Sequence, residues 1–128
     1  MDVKNQINYW LTSAEHDLDT AQTLFDVHKY DWCLYIAHLV IEKILKALYV
    51  KNNKQIPPKT HKLHILAEQA NLKLTTEQTN FLQQINEFNI EARYPDVKFN
   101  FYRLCSQDFT TEYFEKIKEL RDCLLKKI

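Results

Sequence analysis

Apolar residues along this chain recur every three or four positions, the spacing of one helix face, in five separate stretches. From about Asn5 to Val27 they fall at Ile7, Trp10, Leu11, Ala14, Leu18, Ala21, Leu24 and Phe25, with Glu15, Asp17 and Asp19 among the residues opposite. A second helix is expected from Asp31, a good N-cap, to Lys51. It is apolar nearly all round (Trp32, Leu34, Ile36, Ala37, Leu39, Val40, Ile41, Ile44, Leu45, Leu48), which marks a central helix covered on most sides. His38, Glu42 and Lys46 draw one polar line along it. The segment Asn52 to Lys59 is a loop stopped by Pro57 and Pro58.

A third helix starts at Thr60 as N-cap and carries Leu63, Leu66, Ala67 and Ala70. A fourth starts at Thr75, where Thr75-Thr76-Glu77-Gln78 fits a capping box. Phe81, Leu82, Ile85, Phe88, Asn89 and Ala92 follow one face until Pro95 ends it near Tyr94. Val97 to Gln107 reads as an irregular, aromatic-rich connection with Phe99, Phe101 and Tyr102. A fifth helix, capped by Asp108, presents Tyr113, Phe114, Ile117, Leu120, Leu124 and Ile128. The expectation is an all-α, up-and-down bundle of four or five helices, one domain over residues 1–128.

Composition sharpens this picture. The 128 residues are 45% hydrophobic, enough for a core, and contain no glycine. That absence points to helices joined by short, plain loops, and it removes the Gly-rich phosphate loops of P-loop and dinucleotide-binding proteins. The three cysteines, Cys33, Cys105 and Cys123, show no C-x-x-C spacing. A reducing, cytoplasmic setting is expected, and Cys33 reads as a small core residue. The first residues lack a signal-peptide core, and the apolar run from Tyr35 to Val50 is broken by His38, Glu42, Lys43 and Lys46, so no membrane span is expected. Net charge is zero but uneven: Met1 to Glu42 holds seven acids and two lysines, and Lys43 to His64 holds six lysines and no acid. The basic run is either a local basic surface or a solvated loop.

Four signals in order resemble the HEPN family of helical bundles. They are Trp10-x3-Ala14-x2-Asp17-Leu18-x2-Ala21, then Glu42-Lys43-Ile44-Leu45-Lys46-Ala47, then Thr60-His61-Lys62-Leu63, and last Ala92-Arg93-Tyr94-Pro95-Asp96. Before Glu42 the family often carries a glutamine-rich, small-residue stretch, where this chain has Ala37-His38-Leu39-Val40-Ile41. The resemblance implies a bundle that forms homodimers, with nucleotide or RNA binding. For many members it also implies pairing with a small nucleotidyltransferase as a toxin–antitoxin module. The family's ribonuclease branch uses an R-x4-6-H motif. Here the arginines are Arg93, Arg103 and Arg121 and the last histidine is His64, so no histidine follows any arginine. A non-catalytic member without cofactor is expected.

The candidate chemistry is phosphate recognition. His38, Glu42 and Lys46 either face solvent or line a groove between helices, with Glu42 and Lys46 spaced for an ion pair. His38 with Glu42, and His64 with Glu68, are spaced for a hydrogen bond within a helix, a reading favoured over a metal. His61, His64, Lys59 and Lys62 at the start of the third helix form a phosphate seat, unless Thr60 alone satisfies those donors. Arg93 suits bidentate phosphate contact and Tyr94 base stacking, unless Arg93 pairs with Asp96 or Glu42. The expected ligand set is His38, Glu42, Lys46, His61, Lys62, Arg93 and Tyr94. The alternative is a protein-interaction or dimerisation module with no small ligand.

Overall fold

Asp2 starts the first helix, its carboxylate accepting the Asn5 backbone N–H at 3.1 Å. A computed structural model describes residues 2–96 and 99–128, and in it this helix, α1, spans Val3–Asp26. Ala14 and Ala21 on its inner face are buried against α2, Tyr30–Asn53. Their small side chains let the two helices pack closely as an antiparallel hairpin. Lys43 crosses between them to Asp17 at 2.6 Å and to Ser13 at 2.7 Å.

The turn of this hairpin corrects an expectation. His28 takes a left-handed φ of 65°, with His28 N–H bonded to Phe25 O and Lys29 N–H to Leu24 O. That is a Schellman ending made without glycine. Tyr30 then packs edge-on against Phe25, and α2 begins there with no side-chain cap. Asp31 is therefore not the N-cap; it lies in the first turn, where its charge still suits the helix dipole. Lys54, Asn71 and Phe99 also have positive φ. The glycine-free chain thus turns left-handed at four described positions, at about 1–2 kcal/mol each.

Two further caps differ from the sequence reading. Helix α3 spans only Leu63–Gln69, and its N-cap is Lys62 rather than Thr60. The chain stays extended through Lys62, and the Thr60 hydroxyl accepts the Lys62 N–H at 3.2 Å. The Leu63 N–H is answered from another helix, by Asn86 Oδ1 at 3.1 Å. Helix α4, Thr76–Arg93, has the expected capping box, with Thr75 and Gln78 each accepting the other's backbone N–H at 3.0 Å.

The aromatic connection, of which residues 97 and 98 lie outside the described residues, contains a short helix α5, Asn100–Leu104. Asp96 holds it by accepting from the Asn100 backbone at 2.8 Å and side chain at 2.7 Å. Helix α6, Gln107–Leu125, is capped by Ser106 and not by Asp108, which falls in the first turn.

The fold is all-α, a six-helix bundle with no strand among the described residues. Helix α2 is its axis, and all five other helices pack on it. Leu34, Ile41, Ile44, Leu45 and Leu48 of α2 meet Leu63, Leu66, Leu82, Ile85, Phe114, Ile117 and Leu124 in one core. Cys33 and Cys105 are buried there as free thiols, and burial pushes each up to about 12, away from reactivity. Phe81, Phe88, Phe101, Phe109 and Tyr113 join α4, α5 and α6. Arg121 ties α6 to Glu15 of α1 at 2.6 Å. No described helix is long and apolar enough to cross a membrane.

Close packing of α1 on α2 at a fully buried alanine yields a direct expectation. Ala21→Leu should lower stability by about 1–3 kcal/mol through overpacking, read as a lower urea midpoint at unchanged slope. An unchanged midpoint would mean that α1 does not close on α2 at this position.

Candidate functional site

Four positions on α2, Tyr35, His38, Glu42 and Lys46, follow the three-and-four spacing of one helix face. The last three are buried, so the polar line runs between helices rather than in solvent. Burying a carboxylate is costly unless each oxygen finds a partner. Glu42 meets that demand twice: Oε2 accepts from Lys46 Nζ at 3.2 Å, and Oε1 lies 3.0 Å from His61 Nδ1. Lys46 also lies over the Trp10 ring of α1, 5.1 Å from its centroid. His61 arrives from the extended segment before α3, and its side chain is 63% exposed against 5% for Glu42. The imidazole therefore covers the inner carboxylate while meeting solvent itself.

His38 is fully buried, stacked on Tyr35 with ring centroids 6.4 Å apart. Neither ring nitrogen makes a well-formed hydrogen bond among the described residues, although the backbone of His61 lies within reach of the ring. Burial pulls its pKa from 6.5 down to about 4; Glu42 opposes this, and the charges of His61 and Arg93 add to it. The imidazole is accordingly neutral at pH 7. The hydrogen bonds expected within helices are not made. Glu42 turns to Lys46 and His61 instead of His38, and His64 Nδ1 is buried without a partner among the described residues. Among the described residues no three His, Cys, Asp or Glu side chains converge as a metal-binding set.

Arg93, on the last turn of α4, completes the cluster. Its Nε donates to Asn89 O at 3.2 Å, and its guanidinium lies 5.9 Å from the Tyr35 ring and 5.3 Å from the Tyr94 ring. It pairs with neither Asp96 nor Glu42: Asp96 caps α5, and Glu42 is taken by Lys46 and His61. Tyr94 is 69% exposed.

The structure thus brings His38, Glu42, Lys46 and His61 together, with Arg93 and Tyr94 at one end. Lys62 is exposed next to His61. The phosphate seat on the third helix is not formed as expected. Helix α3 is short, Asn86 takes its first free N–H, and His61 turns to Glu42. The basic run is also largely spent inside the protein. Lys43 goes to Asp17, Lys46 to Glu42, Lys51 to the carbonyls of Lys127 and Ile128, and Lys54 to the Lys51 carbonyl. Only Lys59 and Lys62 of that run are exposed without such a contact among the described residues. Sequence reasoning missed Tyr35 and treated Trp10 as core alone. Tyr35 was detectable, since it stands three residues before His38 on the same face.

A family model described as HEPN domain matches residues 7–128. Comparison with curated proteins finds no match. The crystal structure of TT1696 from Thermus thermophilus is similar in fold, with a TM-score of 0.83 at 20% identity, over 97% of this chain and 99% of that one.

Two outcomes follow from the buried line. Glu42→Gln leaves the Lys46 cation buried without its counter-charge and should cost about 3–5 kcal/mol; adding Lys46→Met should recover much of that loss. If the double variant is no more stable than the single one in urea, the pair does not carry this energy. His38 binds a proton more readily unfolded, near 6.5, than folded, near 4. Its contribution is therefore complete above about pH 6.5 and is lost as pH falls towards about 4, by roughly 3 kcal/mol. Urea titrations across that window should show His38→Leu with a flatter stability profile than the parent. Parallel profiles would rule out the buried neutral imidazole.

Proposed function

Since the chain belongs to the HEPN domain family, we propose that it is a non-catalytic member that binds the phosphate of a nucleotide or RNA at the Arg93 end of the buried polar line. The observation that carries this is the state of Arg93. Its guanidinium has no carboxylate partner among the described residues and lies beside two tyrosine rings, one of them largely exposed. Arginine so placed offers planar N–H donors to phosphate oxygens, and Tyr94 offers a face to a base. The exposed side chains of Lys62 and His61 add positive and hydrogen-bonding character nearby. The lack of any arginine followed at the right spacing by histidine supports a binding rather than a ribonuclease role.

A homodimer and a nucleotidyltransferase partner in a toxin–antitoxin module belong to the same reading, as the family implies. A second reading, a protein-interaction module without a small ligand, is favoured by the exposed apolar side chains Ile90, Tyr94, Phe99, Tyr102 and Leu104 around α5. In that case the polar line only holds helices together.

Titration calorimetry with ATP and with a short single-stranded RNA separates the two. On the binding reading, Arg93→Ala lowers affinity about 10- to 100-fold with little change in melting temperature. His61→Ala should lower melting temperature as well, because Glu42 loses a partner. Absence of binding to both ligands by the parent protein would sink the first reading and leave the interaction module.

A further inference from the structure

A second set of rings and cations lies on the other side of α5, outside the polar line. Lys29, Asp31 and Trp32 at the start of α2 face Phe99, Tyr102 and Arg103 across a pocket of about 400 Å³. That volume falls in the range of small-ligand sites, roughly 300–1,000 Å³. All three rings are open to solvent, Trp32 by 42%, Phe99 by 53% and Tyr102 by 62%. Exposed aromatics of this size are unusual unless they meet something. Lys29 and Arg103 make no ion pair among the described residues, in contrast to Arg121, which holds Glu15 and Asp122. The first N–H groups of α2 add positive character here, since no side chain caps that helix.

The pocket is built rather than incidental. Asp96 fixes the start of α5 through two hydrogen bonds, and Phe101 on the inner face of α5 is buried against Phe88. Tyr102 and Arg103 are thereby turned outwards. Phe99 is held at φ 54°, a strained left-handed conformation for a bulky residue.

Rings also connect this pocket to the Arg93 site. Trp32 meets Tyr35 edge-on at 5.8 Å, and Tyr35 lies 5.9 Å from the Arg93 guanidinium, with Tyr94 beyond it. Arg103 and Tyr102 share the pocket with Trp32, and Tyr35 leads on from Trp32 to Arg93 and Tyr94, so that rings lie between the two arginines. A cationic groove with rings for successive bases is the chemistry that holds single-stranded nucleic acid without strict sequence preference. A lone cation beneath the rings would instead favour a quaternary ammonium group, but two cations against the single Asp31 repel such a ligand.

We infer that the pocket between α5 and the start of α2 is a second subsite, taking a base and its phosphate from a single-stranded oligonucleotide whose other end occupies the Arg93 site. The inference rests on the proposed phosphate-binding role and narrows its ligand from any nucleotide to a single strand.

The test compares ATP with an unstructured single-stranded oligoribonucleotide of about eight residues. Both are titrated into the parent, Arg93→Ala, and a Tyr102→Ala/Arg103→Gln double variant. The two substituted pocket residues are exposed, so melting temperature serves as the fold control. The oligomer should bind tighter than ATP. The double variant should lose about 10-fold or more for the oligomer, keep parent affinity for ATP, and flatten the salt dependence by about 0.7 in log–log slope. Oligomer affinity that is unchanged in the double variant, or no better than that of ATP, overturns the subsite. Arg93→Ala separates the two claims. If it weakens both ligands while the pocket variant weakens neither, the phosphate site stands and the subsite falls. If only the pocket variant matters, the pocket takes the strand by itself, and both the Arg93 site and the two-site strand fall. Altered sedimentation of the double variant with unchanged oligomer affinity also overturns the subsite and makes this face a protein interface.

Discussion

A carboxylate buried on the central helix is the demand around which the rest of this bundle is arranged. Glu42 is buried on the helix that all five others pack against, with little water to solvate it. Lys46, one turn on, answers one oxygen and is itself covered by Trp10 from α1. His61 answers the other from nineteen residues away. That contact requires the chain after Pro57 and Pro58 to return to α2 in an extended form. The return in turn delays α3 until Leu63, whose N–H is met by Asn86 of α4. One charge thus fixes a loop, a helix start and an inter-helix contact. The same arrangement limits function, because a ligand that draws His61 away must supply what Glu42 then lacks.

Conformational strain is distributed in a way that composition alone would not suggest. Three of the four left-handed residues, His28, Lys54 and Asn71, end α1, α2 and α3. In each, a backbone N–H closes on a carbonyl of the helix just finished, which offsets part of the cost. Phe99 is different, since it begins a helix and projects an exposed ring. Strain that sharpens a turn is explained by the turn. Strain that presents a bulky ring to solvent invites a functional account.

What the sequence revealed follows the range of the interactions. The capping box at Thr75 and Gln78 lies within four residues and was legible as written. So was the burial of α2, because an apolar circumference leaves no solvent face, and so was the Glu42–Lys46 pair. The caps at Thr60 and Asp108 were misread because a neighbouring helix, through Asn86, or a nearer competitor, Ser106, answers the free N–H. Helix α5 escapes a reading by periodicity because its five residues are too few to show a pattern. Among the candidate residues, Glu42, Lys46, Arg93 and Tyr94 stand out in the sequence as motif positions, and His38 as the polar residue one turn before Glu42. That His61 pairs with Glu42 while Lys62 points to solvent was not, since it depends on how the loop returns.

The acids nearest Arg93 explain why this cation is available when others are not. Asp96, three residues on, is committed to Asn100. Glu42 is committed to Lys46 and His61. Glu91 has its pKa raised, first by burial and further by Glu87 and Asp96, and it makes no ion pair with Arg93 among the described residues. The Asp96 and Glu42 commitments both serve the fold: one starts α5 and one joins the loop to α2. The net result is a guanidinium with unspent donors beside two rings. The fold leaves this positive charge free by spending the neighbouring negative charge elsewhere, and on the proposed reading an anionic ligand would supply the missing partner.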